Sequence, residues 1–305
     1  MELLKKHTNF LPIGAIFLCC LIWGTTFSIV KGASTIIDPY LLSILRNLIA
    51  VLILGVYLFL KKDYKPFLNK TSLIYGFILG VLLGAIYVIQ TTGLIFTSSN
   101  HSAFISCSAV IMAPILMYFL GWQKFTKKQV VSISIVTVGL FYLTIKSTFG
   151  EINIGDIITF VAAIICAFHL VLSGHYVRKV DFMGLIFYQF FFAFLASLIG
   201  LIISQSFQNF PPILLKQEAI FNVLYLGILG TTFCFFVTVW AQKYVSTVYT
   251  ALIFSLEPLF ASITNYFVLA EGFTDREYFG ASLILLGLIV YSVRFRRKTK
   301  LTQAF

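Results

Sequence analysis

Four side chains in this sequence combine polar or ionisable chemistry with a strongly apolar setting: Arg46, His169, Gln189 and Glu257. A guanidinium inside a membrane-length apolar run costs at least about 2.5 kcal/mol at the bilayer centre, so Arg46 must face protein or water. It lies near the start of its run. From there it could snorkel to the headgroups, bind the carbonyl end of a neighbouring helix, or contact a solute directly. Glu257 directly precedes Pro258. Proline lacks an N–H and disturbs the carbonyl four residues earlier, here Phe254, so an acid and a broken backbone ladder coincide. A carboxyl there suits a cationic group or a coupling proton, and the plainer alternative is a cap for neighbouring helices. His169 could relay a proton or bind a carboxylate, although a satisfied interior histidine is the commoner case. It stands about 240° around a helix from His175, so the two cannot share a metal as residues at i and i+4 can. Gln189 supplies a neutral donor and acceptor.

Small and aromatic residues complete the inventory. Gly76, Gly80 and Gly84 recur every four positions, which lets a neighbouring helix approach closely in lipid. One turn on, Tyr87, Gln90 and Thr91 share that general side and are candidates to line a cavity. Phe233, Phe236 and Trp240 form a second candidate stripe, and Trp23 stands beside Thr25 and Thr26. The cysteines Cys19, Cys20, Cys107, Cys166 and Cys234 all lie in apolar runs without zinc or redox spacing, and read as packing residues. The sequence has no Gly-Lys-Ser/Thr phosphate loop and no paired carboxylates or metal set within its apolar runs. No catalytic residue, cofactor or metal site is therefore expected.

The elements that must position these residues follow from composition. Of 305 residues, 59% are hydrophobic and 11% charged, whereas soluble domains carry roughly a quarter charged residues. Ten apolar runs approach the length needed to cross a hydrocarbon core of roughly 30 Å as helix: 11–30, 40–60, 73–96, 103–121, 130–145, 157–177, 183–203, 219–241, 248–270 and 278–293. Short links join them, and no period-2 alternation suggests a barrel. No cleavable signal is evident at the start. The net charge of +11 does not indicate nucleic acid, because the basic residues are scattered among the links. Seventeen of the 22 Lys and Arg fall on one set of alternating segments, both termini included; Lys31, Lys146, Lys216 and Arg276 fall on the other, and Arg46 lies inside a run. By the positive-inside rule both termini are cytoplasmic, in a plasma membrane such as the bacterial inner membrane.

A shift of 143 or 144 positions brings Trp23-Gly24 onto Cys166-Ala167, Arg46 onto Gln189, Gly84 onto Gly227 and Pro114 onto Pro258. The chain thus divides into five-span halves at 1–149 and 150–305. An odd number of spans per half makes this an inverted repeat, with a site expected between the halves. The fold class is an all-α integral membrane protein of ten helices in two inverted repeats. Leu21-Ile-Trp-Gly-Thr-Thr-Phe27, the stretch from Pro39 to Arg46, Ala113-Pro-Ile115, Thr250-Ala-Leu-Ile-Phe-Ser-Leu-Glu-Pro-Leu259, Glu271-Gly-Phe-Thr274 and the Gly-rich last run resemble the EamA family of the drug/metabolite transporter superfamily. Cys166 stands where many relatives have Trp. The resemblance implies an alternating-access carrier of small solutes, often an exporter of amino acids or related metabolites. Its chamber would hold Trp23, Tyr87, Gln90, His169, Trp240 and Glu257, while Arg46, Gln189, Pro114 and Pro258 serve structure or gating. The expected partners are the solute, the lipid bilayer and a coupling proton. A membrane-embedded enzyme or a non-transporting sensor is the alternative.

Overall fold

A computed structural model describes residues 10–35, 37–144, 153–204, 217–269 and 274–292, and every regular element among them is helical. Residues 1–9 with Lys5 and Lys6, Lys146, Lys216, the segment 270–273, the basic tail 293–305 and the boundary at 149 all lie outside the described residues.

Local chemistry fixes where the helices begin. Helix α1 runs Phe10–Ala33 and α2 runs Pro39–Lys61. The Asp38 carboxylate accepts from the N–H groups of Tyr40 and Leu41, and Pro39 occupies the first helical position, where its missing N–H costs nothing. Helix α3, Lys70–Phe96, starts from Asn69, which accepts from Thr71 and Ser72 N–H. Helix α4 is in two pieces, Ser99–Ser106 and Ala109–Phe119, followed by α5, Lys127–Thr144. Helix α6, Ile154–Tyr176, opens on a capping box between Asn153 and Asp156, and α7 spans Phe182–Ser204. Helix α8 contains Gln217–Tyr225, a π-helical stretch Leu226–Phe233 and Cys234–Ala241. Helix α9 is again in two pieces, Thr247–Phe254 and Glu257–Leu269, and α10 is Asp275–Ser292.

Eight of these, α1 to α4 and α6 to α9, are long and apolar enough to cross a bilayer. Helices α5 and α10 open on Lys127-Lys128 and on Asp275-Arg276-Glu277, and fall outside that set. Large apolar side chains face outward: Leu52, Phe59, Phe221 and Ile289 are each more than half exposed. Such a surface suits hydrocarbon, and helices satisfy their own backbone groups there.

Packing divides the bundle into a core and a flanking pair. The glycine stripe of α3 presses on α7; a Cβ added at Gly80 would lie 2.6 Å from both the Gln189 carbonyl oxygen and Phe192 Cβ. Helix α1 meets α9 as closely, since a Cβ at Gly24 would lie 2.6 Å from Phe260 Cβ. Helix α6 lies against α3 and α4, and α1 against α8. Helices α5 and α10 pack along each other, with Gly139 and Gly280 in contact.

Candidate functional site

The core helices enclose a cavity of about 110 Å³, to which α5 and α10 contribute no lining residue. That is room for several waters or a small solute. Trp23, Arg46, Tyr87, Gln90, His169 and Glu257 all line it. Trp240 does not; its ring stacks edge-on to Tyr244, at 5.5 Å. The i, i+3, i+7 spacing marks a stripe without telling which way it faces. Phe236 packs on Phe182 and Phe233 joins the cluster around Cys19 and Cys234. The ring that α8 turns inward is Phe235, which lies edge-on to Trp23, Tyr87 and His169 at 5.2, 5.9 and 5.5 Å. Thr238 and Cys166 also line the space.

Arg46 is 4% exposed, and its guanidinium stands 3.9 Å above the Tyr87 ring centroid. Its Nε–H donates to Thr231 Oγ1 at 2.9 Å, and the Tyr87 hydroxyl donates to the same oxygen at 3.0 Å. One threonine therefore orients both groups, while the aromatic face offsets part of the cation's desolvation. Trp23 is fixed from the same stretch: its indole N–H donates to the Gly230 carbonyl at 2.8 Å. Gly230 and Thr231 both belong to the π-helical stretch of α8. A π turn widens the helix and re-aims backbone and side chains, a feature that recurs at functional sites.

Two broken helices bring the remaining groups in. In α9 the chain turns at Ser255 and Leu256, whose N–H groups bond three residues back, and Glu257 then opens the second piece ahead of Pro258. The neighbouring carbonyls of Ile253 and Phe254 accept from the thiols of Cys20 and Cys107, at 3.4 and 3.7 Å. Helix α4 breaks at Cys107 and Ser108 in the same tight manner, well before Pro114, which lies buried inside the second piece. Gln90 reaches this break, donating to Ser106 Oγ at 2.9 Å.

His169 is buried with its Nε2 unpaired, and Gln189 lies beside it with neither amide atom in a well-formed hydrogen bond. Gln189 sits among the α3–α7 contacts, outside the cavity lining. The one salt bridge among the described residues is His101 to Asp156, at 3.8 Å, so neither Arg46 nor Glu257 has an ionic partner there. The described residues also hold no cluster of His, Cys, Asp or Glu able to bind a metal.

Both ends of the core are tied by cations on backbone carbonyls. The Lys31 ammonium, on α1, donates to the carbonyls of Leu94, Ile95 and Thr97 at the end of α3. Thr97 Oγ1 in turn donates to Asp156 at 2.6 Å. At the other end of α6, Arg178 donates to the carbonyls of Gln242 and Val245, just past α8. The Gln242 side chain accepts from Ser173 and donates to the Leu170 carbonyl. Lys243, beside it, has its pKa lowered by burial, an effect that nearby Asp181 partly offsets.

The EamA-like transporter family matches this chain twice, over residues 11–145 and 153–293. An uncharacterized transporter of Archaeoglobus fulgidus is 32% identical over 281 residues, covering 91% of this chain and 84% of the relative. The uncharacterized transporter YoaV of Bacillus subtilis is 24% identical over 282 residues, 91% and 95% of the two chains. A crystal structure that is 15% identical superposes with a TM-score of 0.73, over 93% of this chain and 98% of that one. At that identity the likeness concerns the fold alone.

Proposed function

Because the chain belongs to the EamA-like transporter family, we propose that its cavity carries a small metabolite across the plasma membrane by alternating access. The cargo class is an amino acid or a related compound, moved outward. One observation carries this reading: Arg46 and Glu257, opposite in charge and without ionic partners among the described residues, line the same buried chamber. A buried charge left unpaired is strongly destabilising. A solute bearing both an anionic and a cationic group would compensate the two at once, with Trp23, Tyr87, Gln90 and His169 shaping the walls.

In this reading the chain crosses the membrane ten times, as two inverted halves, with α5 and α10 as the flanking fifth and tenth spans and both termini cytoplasmic. The paired end-ties support it. Lys31 joins α1 to the end of α3, Arg178 joins the end of α6 to the end of α8, and the two ties sit at opposite ends of α6. These are the helix pairs that an inverted repeat exchanges.

Proteoliposomes loaded with a panel of amino acids, amines and organic acids test the cargo class by counterflow. Exchange of zwitterions above the singly charged solutes is expected, and exchange of none of the panel would sink the reading. Glu257 is also the proposed coupling-proton site, since burying a carboxylate costs far more than burying the neutral acid. Glu257→Gln keeps the shape and removes the titration. Transport by this variant should lose its pH dependence; a pH profile equal to the parent's rules proton coupling through Glu257 out.

A further inference from the structure

Helices α1 and α6 stand at matching places in the two stretches that the family covers, and both line the chamber. On α6 the lining residues are Ala162, Ala163, Cys166, His169, Leu170 and Ser173, while Val161 and Phe168 are exposed on the other side of the helix. At about 100° per residue, Cys166 falls in the middle of that inward stripe. It is partly exposed, whereas Cys19, Cys20, Cys107 and Cys234 are buried. The corresponding place on α1 belongs to Trp23, 143 positions earlier.

The two places are filled differently, and the chamber is lopsided as a result. Around Trp23 the wall is a run of touching rings: Phe254 and Phe235 lie edge-on to it at 5.1 and 5.2 Å, and Phe235 continues to Tyr87 at 5.9 Å. The indole is pinned to Gly230, and Tyr87 to Thr231 and Arg46, so this wall has little freedom to open. Opposite in character is the surface made by Ala162, Ala163 and Cys166 of α6 with Ala109 of α4. No side chain there is longer than a thiol on one methylene, and none is charged. A zwitterion held between Arg46 and Glu257 has one substituent left to place. The ring wall is occupied, and the short-chained wall leaves room. An apolar substituent against it leaves water at a gain, whereas a charged one would be desolvated there without a partner.

Resting on the carrier reading above, we infer that Cys166 is a specificity-determining residue. The amino acid carried has an uncharged, apolar side chain that lies against Ala162, Ala163 and Cys166, and the side chain at position 166 sets how large it can be.

Counterflow in proteoliposomes with glycine, leucine, lysine and glutamate tests this assignment. The parent should exchange leucine in preference to the other three. Cys166→Trp, which copies the residue at the matching place on α1, should shift the ratio of leucine to glycine exchange at least about tenfold toward glycine, because even one methylene in a fitted apolar pocket discriminates by about that much. A thermal melt shows whether the variant folds. Independently of it, modification of Cys166 in the parent by N-ethylmaleimide, located by peptide mass spectrometry, should be slowed by leucine and not by equal concentrations of lysine or glutamate. Exchange of no amino acid by the parent would sink the carrier reading, and this assignment with it. Exchange in which glycine, lysine or glutamate equals or exceeds leucine leaves the carrier standing and overturns the apolar side chain. An unchanged leucine-to-glycine ratio in folded Cys166→Trp, or modification of Cys166 that leucine does not slow, overturns the role of Cys166.

Discussion

Helices α3 and α8 occupy equivalent places in the two halves of the sequence, yet they solve opposite problems. Helix α3 is an uninterrupted 27-residue helix whose Gly80 sits against the backbone of α7. Helix α8 carries an eight-residue π-helical stretch, through which it offers the Gly230 carbonyl to Trp23 and the Thr231 hydroxyl to Arg46 and Tyr87. Close glycine packing holds one helix rigidly in the scaffold. The widened turn gives the other its polar contacts to the chamber. A duplicated sequence pattern has thus been divided between support and chemistry, and the difference lies in what each glycine touches.

The contrast is broken most severely by adding a methyl group to each helix in turn. Gly80→Ala places a Cβ 2.6 Å from a backbone carbonyl oxygen of α7, which cannot move aside without shifting the helix. A loss of about 3 kcal/mol is expected, the top of the usual overpacking range. Gly227→Ala instead meets the Ile49 side chain, 2.5 Å from its flexible Cδ1 and 3.1 Å from its Cβ, and should cost about 1 kcal/mol once Ile49 turns and gives by a few tenths of an ångström. Thermal unfolding in detergent compares the two directly. Equal losses would mean that the two glycines play the same role after all.

Next in size is Thr231→Val, which keeps shape but removes the one oxygen accepting from both Arg46 and Tyr87. Two buried donors lose a partner, so about 2 kcal/mol of stability or cargo affinity should go. Equilibrium binding of whichever solute the counterflow panel identifies, together with a melt, measures it. A variant that binds and melts like the parent would show that the threonine does not set the position of Arg46.

Much of this was legible beforehand, and the gaps have physical causes. The apolar runs and the short links mark the helices well, because burial acts over a few neighbouring residues; the Asp38 cap ahead of Pro39 emerged only with the structure. Of the six residues grouped from the sequence, Trp23, Tyr87, Gln90, His169 and Glu257 lie on one cavity and Trp240 lies off it. The π-helical stretch was not legible: Leu226–Phe233 has an ordinary apolar composition, and the groups it bonds, on Trp23, Arg46 and Tyr87, come from other helices that local sequence does not reveal. For the same reason the inward ring of α8 is Phe235 rather than Trp240. The break in α9 is announced by Pro258, whereas the break in α4 falls several residues before Pro114, at Cys107 and Ser108. Helices α5 and α10 read as spans in the sequence, but their charged first turns lower their apolar character.

The smallest expected effect concerns Trp23. Trp23→Phe retains an aromatic ring against Phe235 and Phe254, which lie edge-on at 5.2 and 5.1 Å, and deletes the N–H that donates to Gly230. The abandoned carbonyl lies beside a cavity that can admit water, so the full cost of an unsatisfied buried acceptor does not apply. A loss of about 1 kcal/mol is expected, near the net value of one hydrogen bond. Its location is more telling than its size. If the indole holds the π-helical stretch in place, amide hydrogen exchange should quicken in α8 around Thr231 and stay at the parent's rate in α3 near Gly80, because opening there requires separation from α7. Equal acceleration in both helices would mean that the substitution loosens the bundle as a whole. No acceleration in α8 would mean that its π turn is set by packing alone, without help from Trp23.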